Sequence, residues 1–160
     1  MNINKNLFFQ LAFCLFVLTI TSCGPSYIFE KNYEIANKTW LYRDTLNFDV
    51  AINDIATPYN VFLDVTHNAD FGNENAYVTI FVKSPDGKRT SNQVSVEMAD
   101  KIGQWRGKCS GGSCSLHIPL QENAKFPQKG TYIFTIAQNN RIDSLNLIEK
   151  VGLSIAKSEQ

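Results

Sequence analysis

Along most of this chain apolar and polar side chains alternate, and a period of two signals half-buried β-strands. Leu46, Phe48, Val50 and Ile52 alternate with polar or small residues, and so do Tyr59, Val61, Leu63 and Val65. Residues 76–82, 94–98, 116–120, 132–136 and 151–155 repeat the pattern, and residues 40–43 are a candidate eighth strand. Ser84-Pro85-Asp86-Gly87 predicts a turn, because Pro presets φ and Gly takes the positive-φ position. Residues 126–130 predict another. Gly130-Thr131-Tyr132-Ile133-Phe134 has the turn-then-tyrosine start found on a late strand of Ig-like sandwiches. After residue 23 no segment of helical length keeps a clean 3.6 period; at most one helical turn fits between Asn140 and Lys150. Seven or eight short strands separated by turns predict a single all-β domain, an antiparallel β-sandwich of Ig-like or jelly-roll type, over residues 40–160.

The N-terminus breaks the alternation. After Lys5, residues 7–20 are apolar except for Gln10 and Thr19. A bilayer span needs about 20 residues, so this run has the length of a signal-peptide core instead. It ends in Ile20-Thr21-Ser22-Cys23, which resembles a bacterial lipobox. On that reading residues 1–22 are a lipoprotein signal peptide. Cys23 receives a diacylglyceryl group, the chain is cut before it, and the new amine is acylated. Stable anchoring takes two or more hydrophobic signals, which such a lipid supplies. Residues 23–39 then form the lipidated N-terminus and a tether. Roughly 140 residues remain, ordinary for one domain. Gly24-Pro25-Ser26-Tyr27-Ile28-Phe29 follows Cys23, and the first charge is Glu30. An acidic cluster there would suit export to the cell surface, so its absence favours an outer-membrane lipoprotein facing the periplasm.

Composition narrows the chemistry. Basic and acidic side chains balance at 15 each. That leaves no footprint for nucleic acid, and it does not call for an acidic membrane or a polyanion. Cys109 and Cys114 remain beside Cys23 in the exported part, an even pair where thiols oxidise, so a disulfide is expected across Ser110-Gly111-Gly112-Ser113. Cys109-x4-Cys114-x2-His117 is also compatible with zinc, but no fourth ligand is evident. Gly103-Gln104-Trp105-Arg106-Gly107-Lys108 lacks the glycine spacing and the Ser or Thr of a P-loop, which argues against nucleotide binding. Asp64, Asp70 and Glu74 lack the spacing of a calcium loop. His67 and His117 read as surface histidines with no nucleophile marked nearby. No cofactor is implied beyond the lipid on Cys23, and no enzyme. Phe62, Tyr77 and Phe81 fall on the polar phase of their strands. Large exposed apolar patches are uncommon, so the expectation is that the segment around residues 27–40 covers them. Sugar stacking and a partner surface are the alternatives.

An ordered set of stretches resembles the gliding-motility lipoprotein family GldH of Bacteroidota. It runs from the lipobox through Trp40-Leu41-Tyr42-Arg43-Asp44-Thr45-Leu46-Asn47-Phe48, Tyr59-Asn60-Val61, Pro85-Asp86-Gly87 and Ala99-Asp100-Lys101. Gly103-x-Trp105-x-Gly107, Phe126-Pro127, Gly130-Thr131-Tyr132-x-Phe134, Gln138-x-x-Arg141 and Val151-Gly152-Leu153 complete it. Two stretches depart from the family pattern. His67-Asn68-Ala69-Asp70-Phe71 stands where an Arg and a Tyr-Pro-Tyr-like stretch are expected, and Cys109 and Cys114 occupy the glycine loop after Trp105. The resemblance implies a non-enzymatic, lipid-anchored envelope subunit of the gliding machinery, linked to type IX secretion and acting by contact with other envelope proteins. A glycan-binding envelope lipoprotein is the alternative. Asp44-Thr45-Leu46 and Asp143-Ser144-Leu145 also resemble the Asp-Ser/Thr-apolar O-glycosylation motif of that phylum, which makes Thr45 and Ser144 candidate acceptors.

Overall fold

The computed structural model describes residues 24–158, so Cys23 and the signal segment lie outside the described residues. The chain is an all-β antiparallel sandwich. Its strands are β1 (Tyr27–Glu34), β2 (Thr39–Leu41), β3 (Thr45–Ile52), β4 (Tyr59–Asn68), β5 (Asn75–Lys83) and β6 (Arg89–Glu97). Then come β7 (Lys108–Ser110), β8 (Ser113–Ala124), β9 (Gly130–Gln138), β10 (Ser144–Asn146) and β11 (Ile148–Lys157). One sheet has the order β1-β11-β4-β8-β7, the other β3-β9-β5-β6, and β2 pairs with β10 at one end.

The described residues form eleven strands rather than seven or eight. The additions are β1, β7 and β10. The last two are three residues each, too short to display an alternation. β1 falls in the expected tether, so the ordered domain begins at Tyr27 and not at Trp40. Lys31 hides it, a charge sitting between Phe29 and Tyr33 on the inward phase. Such inward charges are common on edge strands, which must resist further pairing. Here the Lys31 ammonium lies 4.4 Å from the centre of the Tyr33 ring and donates to its hydroxyl at 2.7 Å. Between Asn140 and Lys150 the chain forms β10 instead of a helical turn; the 3₁₀ turn is at Ala36–Lys38.

The alternation decides which side chains meet between the sheets. Val61, Leu63 and Val65 of β4 face Phe48, Val50 and Ile52 of β3 and Tyr132, Phe134 and Ile136 of β9, all buried. The Tyr132 hydroxyl donates to the Gln128 carbonyl four residues upstream, at 3.0 Å, which ties the turn before β9 to the strand. β11 is an interior strand, between β1 and β4, and is buried on both faces from Val151 to Ala156. Its outer residues are small for a steric reason, since a Cβ at Gly152 would collide with the Asn32 side chain. Trp40 closes one end of the core, with its indole N–H on the Asp44 carbonyl at 3.0 Å.

Candidate functional site

Register places the outward residues of β3, β9, β5 and β6 in rows. Asp49, Ile133, Lys83 and Arg89 form one; Asn47, Thr135, Phe81 and Ser91 the next; Thr45, Ala137, Thr79 and Gln93 the third. Tyr77 stands beside Ser95 in the fourth. Nothing among the described residues covers this face: Tyr77 is 49% and Phe81 44% exposed. The expected cover is absent because the N-terminal segment is recruited elsewhere. β1 pairs with β11 at the edge of the opposite sheet, and Trp40 turns into the core. Four residues along one strand separate the two rings by about 13 Å. Two shallow grooves flank them. One is lined by Tyr42, Thr45, Phe81 and Gln93, the other by Asn75, Tyr77, Arg141 and Ile142. Asn140 clamps the second groove by exchanging bonds with the Tyr77 backbone, 3.1 Å each. β6 is the outer strand of the same sheet, and its edge is polar.

Phe62 does not share this surface. It lies on the outer face of the other sheet, stacked on His117 with ring centres 4.1 Å apart. There His117 Nδ1 meets Asp64 Oδ1 at 2.6 Å, and Ser154 Oγ donates to Asp64 Oδ2 at 2.7 Å. A carboxylate-held imidazole is half of a hydrolytic triad, but the triad needs a hydroxyl on the other ring nitrogen. Ser154 is spent on the carboxylate. The Tyr27 hydroxyl reaches Nε2 only at 3.5 Å, and burial, with Asp64 and Glu30 nearby, raises its pKa. The arrangement holds an imidazole without delivering a nucleophile to it.

Cys109 and Cys114 oppose each other across the β7–β8 pair and are joined by a disulfide. Gly111 and Gly112 make the turn between them with φ of +60° and +82°, the conformation that a two-residue hairpin loop demands. Zinc sharing with His117 has no geometric basis, because Cys114 is on the buried phase of β8 and His117 on the exposed one. The same end holds a correction. His67 is fully buried, not at the surface. It continues the inward phase of β4, and two loops close over it: Trp105 from the loop after β6 and Phe71 from the loop after β4, at 4.7 and 5.4 Å between ring centres. His67 Nδ1 lies 2.8 Å from the Asn68 carbonyl, and Nε2 has no partner among the described residues. Burial lowers the imidazole pKa, with the Asn68 carbonyl and Glu149 opposing more weakly. Trp105 is pinned by its N–H on the Ala69 carbonyl at 3.0 Å. Gly107 is required there, since a Cβ would run into the Ser115 carbonyl. The Gly-x-Trp-x-Gly stretch thus has a packing role that spacing alone did not disclose. Of the candidate acceptors, Thr45 is exposed beside a groove, and Ser144 is half-buried in β10.

Comparison with known proteins adds sequence relatives over nearly the full length. A protein of Christiangramia forsetii named gliding motility lipoprotein GldH homolog is 25% identical, covering 97% of this chain and 99% of its own. The gliding motility lipoprotein GldH of Flavobacterium johnsoniae is 22% identical, covering 91% and 94%. Solved structures are more distant. TmCBM61, in complex with β-1,4-galactotriose, is 10% identical at a TM-score of 0.33, covering 82% of each chain. The VP2 subviral particle of infectious bursal disease virus is 18% identical at 0.34, covering 85% of this chain and 31% of that one. The GldH lipoprotein profile matches residues 27–155, from the first residue of β1 into the last strand, and the chain belongs to the GldH lipoprotein family.

Proposed function

We propose that this protein is a non-enzymatic subunit of the gliding-motility machinery, linked to type IX secretion. In this reading it is held in the outer membrane by lipid on Cys23, faces the periplasm and works by binding other envelope proteins. The names of its full-length relatives support the gliding role. One observation supports the mode of action: a whole sheet face with exposed Tyr77 and Phe81 is left uncovered by the domain's own chain. Tyr residues anchor protein contacts well, because a rigid ring buries much area and loses little rotamer freedom. The adjoining β6 edge offers backbone groups to an added strand. No cofactor is needed for such a role. Thr45 is the better glycan acceptor of the two candidates, and a sugar there would intrude on the groove beside Phe81.

Crosslinking in cells followed by pull-down of the tagged protein tests this. Tyr77→Ala with Phe81→Ala is expected to abolish recovery of the envelope partner with little change in Tm, because both side chains are half exposed. Undiminished recovery would sink the proposed face.

The same surface supports a second reading, a glycan site, because amides of Asn47, Gln93 and Asn139 surround the exposed rings. Saturable binding to purified envelope glycans that Tyr77→Ala removes would favour it over a protein partner.

A further inference from the structure

The chain is neutral as a whole, yet the fold gathers exposed cations at one end of the sandwich. The end where β1 begins is built from five segments. These are residues 24–28, the 53–58 loop, the β5–β6 turn, the 125–129 turn and the end of β11. Register brings them together. Lys157 lies opposite Tyr59, Tyr59 opposite Ala124, Ile52 opposite Gly130, and Lys83 opposite both Ile133 and Arg89. Lys83, Lys88, Arg89, Lys125, Lys129 and Lys157 are all exposed there. Four acidic residues lie near them among the described residues: Asp49 in the row of Lys83 and Arg89, Asp54, Asp86, and Glu122 near the end of β8; Asp54 and Asp86 are partly occupied locally. Asp54 accepts from the Ala56 N–H and the Thr57 hydroxyl, and Asp86 from the Lys88 N–H. Among the described residues none of the six cations is ion-paired, whereas Lys38, Arg106 and Lys150 pair with Glu149, Glu97 and Glu34. Tyr27, Ile28 and Ile55 are exposed at the same end, at 38%, 36% and 42%.

Cys23 precedes Tyr27 by four positions, a reach of about 14 Å when extended. A lipid on Cys23 therefore holds this end, and not the opposite one, nearest the bilayer.

We propose that the basic end is a membrane-docking surface, and that its occupant is the anionic phospholipid leaflet in which the chain is anchored. The proposal rests on the reading that Cys23 is lipidated. Attraction between lysines and anionic headgroups fades within a Debye length, about 8 Å at physiological salt. A flexible tether of many residues would leave the cations outside that range most of the time. This short one keeps the end of the domain within about 14 Å of the surface, so a small approach brings the cations into that range. The anchor supplies proximity, and the six cations supply orientation. Ile28 and Ile55 enter the headgroup boundary, where apolar side chains are favoured. Docked this way the strands stand away from the membrane, and the Tyr77–Phe81 face points sideways, open to partners.

The full lipidated protein, reconstituted in nanodiscs of phosphatidylcholine with or without phosphatidylglycerol, provides the test by hydrogen exchange. Backbone amides of residues 53–58, 84–88 and 125–129 are expected to exchange several-fold more slowly in the anionic discs. The difference should vanish near 1 M salt, where screening reaches about 3 Å. Lys83→Glu, Arg89→Glu, Lys125→Glu and Lys129→Glu together should abolish it, while Lys101→Glu with Lys108→Glu at the other end should not. Equal exchange in both discs, or slowing centred on the Tyr77–Phe81 face, overturns docking while leaving the anchor intact. Protein that lacks the lipid mass and does not float with the discs takes down the lipidation reading and this proposal together.

Discussion

At the scale of single residues, the side chain the sequence misplaces most is His67. Its inward position on β4 was legible in the phase set by Val61, Leu63 and Val65. What was not legible was the aromatic lid, because Trp105 comes from a loop 38 positions later whose path depends on the whole sheet. Burial lowers the native pKa below the ordinary 6.5, so the unfolded chain binds the proton first as pH falls. Stability from this site is complete above 6.5 and declines below it, toward the lowered native value. Chemical denaturation between pH 7 and 5 should show that slope, and His67→Gln, which does not titrate, should flatten it. An unchanged slope would mean that other groups carry it. Cys109 and Cys114 were legible from export and spacing. Unreduced peptide mass spectrometry should recover the linked pair. Replacing both by Ser should cost about 2 kcal/mol or less, because the closed loop is short. Free thiols in protein from the native envelope would contradict the pairing.

At the scale of elements, the seven recognised runs became strands because each has enough positions to show which face is buried. β1 defeats the same logic. Its inward phase reads Phe29, Lys31, Tyr33, and its outward phase Ile28, Glu30, Asn32, Glu34 is mostly polar. It is nevertheless structural: Phe29 and Tyr33 pack on Phe48 with ring centres at 6.4 and 5.1 Å, and the strand covers the β11 edge. Losing even part of two aromatic contacts costs about 3 kcal/mol or more, a large share of the 5–15 kcal/mol typical of a domain. A chain starting at Trp40 should therefore be insoluble or unfolded by circular dichroism, and one starting at Gly24 should melt cooperatively. Cooperative melting of the shorter chain would show that β1 is only a tether after all.

At the scale of the molecule, anchoring and orientation are the testable properties. Cys23→Ala should yield protein that is uncleaved or soluble; protein of mature size still in the outer-membrane fraction would contradict lipidation there. Protease applied to intact cells should spare the domain if it faces the periplasm, and degradation with periplasmic markers intact would place it outside. The sequence alone determined the all-β class and most of its strands, the signal-like run and the oxidisable pair, because each is written in neighbouring residues: alternation, run length, spacing. The tertiary structure decided which faces are covered, what surrounds His67 and where the charges gather. Those depend on partners far apart in the chain. Net charge is a sum that ignores position, so only folding could reveal that a neutral chain gathers six exposed cations at the end where β1 begins.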